Sequence, residues 1–560
     1  MRARSVGRFA SGVALLITAA GCGGGGSGGS APPPTPPPPA APSADTQRLL
    51  EQATFGVTST DAVHVQSVGI AAYLTEQMAA TPSQYAGFSY TPHTAPTDCQ
   101  YHAATPTDAS SICARDQYSL FQVQRQFFMN ALNHPDQLRQ RVAFALSQIF
   151  VVSGIEIYEA YGMADYQNML LNDALGNFRT LLEDVTLSPV MGNYLDMVNN
   201  DKTNGALGTS PNENYAREVL QLCSIGLYEL NPDSSQKLDG NGAPIPTYDQ
   251  NVVIGFAAVF TGWTYAPLAG AASKWTNPIN YDGAMISFDA HHETGSKTLL
   301  DGLTVPAGQT AAQDLKMALD DIFNHPNVAP FIGKQLIQHL VTSNPSPDYI
   351  ARVSAVFADN GSGVRGDMAA VVKAILTDPE ARGDTPAQNN YGHLREPALF
   401  ITGMLRSLGG QSDGVLPRAF VSGMGQPIYT PPSVFNFYPP SFILPGSQTL
   451  APEFAIDNAS TALARANFVN TVIMQGGASP DPTVTGSTGT TINLTALAGA
   501  GDANAIIAQL NQSLMHGSLS SAASAAILTA VNAQSTTDPL AAARTASYLL
   551  LTSAQYQVER

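Results

Sequence analysis

At 560 residues, with 44% hydrophobic and 12% charged side chains, the chain has ample material for a large core. Its formal charge of −17 argues against nucleic acid and other polyanions as partners, because an acidic field repels phosphates. Beyond one apolar run near the start, no stretch is long enough to cross a membrane.

Arg2, Arg4 and Arg8 precede the apolar run Val13-Ala14-Leu15-Leu16-Ile17, and Ala19-Ala20-Gly21 lead directly into Cys22. This pattern predicts a lipoprotein signal peptide over residues 1–21, with Cys22 as the lipidated first residue of the mature chain. Gly23 stands where an inner-membrane retention signal would place Asp, so the expected location is the outer membrane. Losing the three arginines takes the formal charge to −20. Residues 22–44 are rich in Gly and then Pro, a composition that cannot bury apolar surface and reads as a flexible, then stiff, tether.

The body follows, with helical apolar spacing over 46–52, 63–78, 118–132, 135–152, 178–187, 188–197, 212–224 and 248–261. Further helical runs cover 311–323, 327–342, 347–359, 368–376 and 395–408. Asp249 and Asn327 are helix-start signals, and Gly226 is a stop. Strand-like segments are confined to Met285–Phe288 and Thr490–Leu494. The expected fold is one mainly α domain with polar insertions near 86–115, 231–247 and 265–300. Its body spans 45–475, and a C-terminal helical portion of the same domain spans 476–560.

In an oxidising compartment Cys99 and Cys113 would close a polar loop, a restraint worth roughly 3 kcal/mol at this loop size. Cys223, in an apolar helical run, reads as a buried thiol.

Motifs in fixed order span the body: Arg48-Leu49-Leu50-Glu51-Gln52-Ala53-Thr54-Phe55-Gly56, Pro211-Asn212-Glu213-Asn214-Tyr215-Ala216-Arg217-Glu218, Thr261-Gly262-Trp263, His292-Glu293-Thr294-Gly295-Ser296-Lys297, Gly425-Gln426-Pro427 and Pro431-Pro432-Ser433-Val434. In these the chain resembles the bacterial family called domain of unknown function 1800. The resemblance implies an exported, largely helical protein, often encoded beside a sulfatase-like exported protein, and carries no settled activity. The chain departs from the family pattern at three places. Leu146-Ser147-Gln148-Ile149-Phe150 replaces a Trp-His-Asn-His-Phe run, and Phe435-Asn436-Phe437-Tyr438 replaces a Gly-Trp. His292-Glu293 stands for the more usual His-Asp.

Two constellations carry chemistry. Glu213 and Arg217, like Asn214 and Glu218, are four apart and share a helix face. Glu218 could join an acid/base or metal site completed from another helix, or these residues could simply cap, pair and anchor. His291, His292 and Glu293 form the second, from which His292 and Glu293 with Glu218 are the candidate ligands of a divalent metal. The candidate catalytic residues are Glu218, Arg217, His292 and Glu293. No zinc-type Cys pair, His-Glu-x-x-His helix or nucleophile elbow occurs in the body. Asp196–Gly205 resembles a calcium-loop fragment but ends in Leu207 where a chelating Glu belongs, and reads as a turn. Trp263, Tyr265, Trp275, Tyr281, Phe435, Phe437 and Tyr438 could stack on sugar rings or anchor loops.

Two functions remain open on these grounds. The first is a helical scaffold that binds an exported protein or an envelope polymer. The alternative is a metal-dependent or acid/base hydrolase-like enzyme acting on an extracytoplasmic polymer or polysaccharide.

Overall fold

Short polar side chains set most helix starts in the body. Thr310 accepts from the Gln313 amide while Gln313 reaches back to the Thr310 amide, closing a capping box ahead of Ala311–Asn324. Asp249 accepts from the amides of Asn251 and Val252 and opens Gln250–Val259. The computed structural model describes residues 43–383, 391–534 and 538–560. Cys22, the signal peptide and most of the tether lie outside them. The described residues form one compact unit.

Among the described residues are twenty-three α-helices and four two-stranded antiparallel pairs, so the fold is mainly α. No helix among them is long and apolar enough to cross a membrane. The two strand segments expected from sequence both pair: Ile286–Ser287 with Trp263–Thr264, and Thr490–Thr491 with Gln411–Ser412. A further pair, His393–Leu394 with Val558–Glu559, fastens the chain's end to its middle.

The structure differs from the sequence expectation in local ways with clear causes. The run 63–78 is two helices, Ser59–Val68 and Ile70–Ala79, broken where Gly69 takes a positive φ of 85°. The helix Ala160–Asp173 was not expected, because Gly162, Asp165, Gln167 and Asn168 interrupt its apolar stripe. The expected polar insertion at 86–115 contains the start of the helix Ala109–Gln117, and the Cys99–Cys113 disulfide ties it down. Cys223 is free and buried.

The first motif holds the domain together. Leu49, Leu50 and Phe55 are buried, each worth about 1.5–3 kcal/mol relative to exposure. Both carboxylate oxygens of Glu51 accept from Nη2 of the buried Arg395, at 2.9 and 3.0 Å. Burial opposes that charge, but Arg395 and His516 hold the Glu51 carboxyl down to about 2. Gly56, at φ 134°, lies so close to Gly403 that a Cβ would collide with its Cα.

Three helices in sequence, Val328–Leu340, Pro347–Ala358 and Met368–Thr377, pack side by side. The helix Gln137–Ser147 lies against the first of them. This packing places the polar residues Gln335, Gln338 and His339, which share one face of Val328–Leu340, opposite Gln148 at the end of Gln137–Ser147.

Candidate functional site

Glu213, Arg217 and Glu218 sit around the helix Asn214–Gln221. Arg217 donates to Glu213 at 2.6 Å and to the Gln250 side chain at 2.6 Å, while Gln250 donates to Glu213 at 2.9 Å. Asn214 donates to Asp196 at 3.0 Å, which fixes the turn expected at Asp196–Gly205. Glu213 makes no side-chain cap. Glu218 stands apart: its Oε2 is buried without a hydrogen-bond partner, and burial raises its carboxyl above the usual range against the pull of Arg217.

His292 is fully buried. Its Nδ1 lies 3.0 Å from the Thr261 carbonyl and 3.1 Å from the Thr261 hydroxyl, and its Nε2 lies 3.0 Å from Asp314. Lys297 Nζ, also buried, reaches the same Asp314 oxygen at 2.6 Å and donates to the backbone carbonyls of Glu293 and Gly295. Gly262 allows this approach: at φ 83° it lies against His292, and a Cβ there would come within 3.0 Å of the His292 Cβ. Glu293 turns outward. Burial raises its carboxyl, but the amides of Gly295 and Thr203 outweigh that and hold it low. His291 stacks on Trp275 with ring centroids 4.1 Å apart and meets Asp201 at 2.9 Å.

Both nitrogens of His292 are therefore committed inside the fold. Among the described residues no hydrogen bond or ion pair joins Glu218 or Arg217 to His292 or Glu293. Nor is any group of three or more His, Cys, Asp and Glu placed there to hold a metal ion.

A different set of side chains surrounds a cavity of about 70 Å³. Gln335, Gln338 and His339 from one helix, together with Gln148, Asn436, Tyr438 and Glu453, wall it. Val434, Phe435, Pro439, Pro440 and Pro452 supply apolar surface. Behind the wall lies a buried network. Glu396 accepts from Gln148 Nε2 at 3.0 Å, from the Tyr438 hydroxyl at 2.9 Å and from Gln426. Gln148 Oε1 in turn accepts from Asn436 at 3.0 Å. Glu453 accepts from the Ser343 hydroxyl at 2.7 Å and lies 3.5 Å from His393, whose other nitrogen is 3.4 Å from Glu559. Burial pulls His393 down, but the two carboxylates prevail and push it up to about 10. His339 goes the other way, driven down to about 3 by burial, Arg141 and His393.

A family model described as "Protein of unknown function (DUF1800)" matches residues 48–558. The chain belongs to the DUF1800 family. No curated protein and no solved structure matches it. Two of the three stretches read from the sequence as departures from the family pattern meet at this cavity, since Gln148 and Ile149 come from one and Phe435, Asn436 and Tyr438 from the other. Gln335, Gln338, His339, Glu396 and Glu453 escaped sequence analysis. For the first three the signal was present: polar residues at i, i+3 and i+4 on a helix whose other faces are largely buried and apolar. Among the aromatic residues considered for stacking, Trp263, Tyr265, Tyr281 and Tyr438 are buried, whereas Phe435 is 54% exposed at the cavity.

Proposed function

We propose that the mature chain is an envelope protein, lipid-anchored through Cys22 to the outer membrane, whose helical body binds an exported protein partner or an envelope polymer. The observation that supports binding is the cavity, where a buried network orients polar side chains and leaves the buried Gln338 Oε1 without a partner. Rigidly held, unsatisfied polar atoms beside apolar surface are what a preformed binding site requires.

Fractionation of cells carrying the wild type and Cys22→Ala, together with co-sedimentation of the wild type with isolated envelope, tests this reading. The expected result is membrane attachment that depends on Cys22, with retention by envelope material. Equal recovery of both chains in the soluble fraction, unbound, would contradict it.

One observation favours the catalytic alternative. Glu218, with its raised carboxyl and unpartnered Oε2, has the character of a proton carrier. Hydrolysis of an envelope polymer that disappears in a folded Glu218→Gln variant would establish that alternative.

A further inference from the structure

On the binding function proposed above, the polarity of the cavity narrows the class of ligand. Glu396, as a carboxylate, can only accept, so Gln148 must turn its Nε2 toward it and its Oε1 toward Asn436. Asn436 must then give its Nδ2 to Gln148, which leaves its Oδ1 for the cavity. The same logic fixes Gln338, whose Nε2 donates to the carbonyls of Ser343 and Pro440, both at 3.0 Å. Its Oε1 is left without a partner although the residue is only 3% exposed. Gln335 spends its Nε2 on a long 3.4 Å bond to the Phe331 carbonyl, and its Oε1 is the third free amide oxygen.

Three acceptors facing one space disfavour an anion. Cations are disfavoured as well. Arg141 is fully buried, donates to the His339 carbonyl, and has Nε and Nη1 unpartnered. Its positive charge, with that of His393, is felt at His339, which is held in the neutral form. Glu453, the one carboxylate lining the space, is engaged by Ser343 and His393. What fits is an uncharged group rich in donors. Phe435 and the prolines at 439 and 440 add apolar surface suited to the C–H face of a sugar ring.

We propose that this cavity binds one neutral, hydroxyl-bearing saccharide unit of an envelope polymer, its hydroxyls donating to the side-chain oxygens of Gln338, Asn436 and Gln335 while a ring face rests on Phe435. At about 70 Å³ the space is smaller than a pyranose ring, so it takes only a hydroxyl-bearing edge of the unit, while the ring lies outside it against the exposed Phe435 with the rest of the polymer.

The test uses the full lipidated chain in a detergent without a sugar headgroup. Neutral tetrasaccharides of glucose and of N-acetylglucosamine are titrated by saturation-transfer NMR beside a uronic-acid tetramer. Gln335→Leu and Phe435→Ala are the variants, since one loses a single long internal bond and the other an exposed ring. The expected result is binding of a neutral tetrasaccharide that weakens at least fivefold in both variants while their melting temperatures hold. Binding that is unchanged in both variants, or a preference for the uronate, overturns the proposal. Failure of every neutral sugar to bind, with envelope co-sedimentation retained, overturns the ligand class and leaves the binding function standing. Loss of co-sedimentation as well overturns both.

Discussion

At the His292 loop the buried polar side chains have partners: His292 and Lys297 meet Asp314, and Thr261 bridges to the loop through its hydroxyl and carbonyl. At the cavity, Gln338 keeps a buried oxygen with nothing to accept from, while Asn436 and Gln335 spend only their amide nitrogens on the fold. The first region is closed on itself, as expected of a structural element, because a satisfied buried ion network leaves nothing to offer a ligand. The second bears a cost that a ligand could relieve. The comparison teaches that a motif's chemical character is a poorer guide to a site than the balance of donors and acceptors around it.

The largest effect is expected where the closed network is cut. Asp314→Ala strands the Lys297 ammonium in the interior and should lower the unfolding free energy by about 3–5 kcal/mol in urea titration. A loss below roughly 1 kcal/mol would show that the loop is not held by this network. Next comes Glu396→Gln, which lets the cavity's amides reverse: replacing the acceptor-only group should cost about 1–3 kcal/mol and abolish any preference for donor ligands. A smaller loss, about 1–2 kcal/mol, is expected for Gly262→Ala, which strains a positive φ and crowds His292.

A third region supplies a pH test. Burial, reinforced by neighbouring Asp184 and Asp282, raises Asp173 to about 7 and Asp165 to about 6. Because these folded-state values lie above the unfolded carboxyl range, the folded chain holds more protons. Their stabilising contribution is complete below about pH 4 and is lost as pH rises through 6 to 7. The melting temperature should fall between pH 5 and pH 8, and Asp173→Asn should reduce that fall; an equal fall in the variant would exclude Asp173 as its origin. The smallest effect on stability is expected at the open cavity, where Gln335→Leu should change the unfolding free energy by no more than about 0.5 kcal/mol.

Much of the fold was legible in the sequence because helical periodicity survives in runs such as Ala311–Asn324 and Pro347–Ala358, and because caps such as Asp249 act locally. The helix Ala160–Asp173 was not, since Tyr161, Tyr166 and Gln167 are buried by neighbours that only the tertiary structure supplies. The disulfide Cys99–Cys113 followed from spacing and loop composition. Candidate-site residues were harder. His292, Glu293, Arg217 and Glu218 were chosen by residue type, whereas Asp314, Gln250 and Thr261, the partners of the first three, lie 22 to 33 residues away and are invisible to spacing. For the cavity the reverse held. Gln148 and Asn436 attracted notice as departures from a family pattern, yet their contact across 288 residues of sequence is a property of the fold alone.

The central claim is that unsatisfied oxygens at the cavity exist to be met by a ligand. The most direct measurement is a crystal structure of the chain with the best-binding neutral tetrasaccharide. The account predicts a sugar ring against Phe435 with hydroxyls within about 3 Å of Gln338 Oε1 and Asn436 Oδ1. A saccharide ordered elsewhere on the surface, with the cavity holding only water bonded to those oxygens, would contradict it.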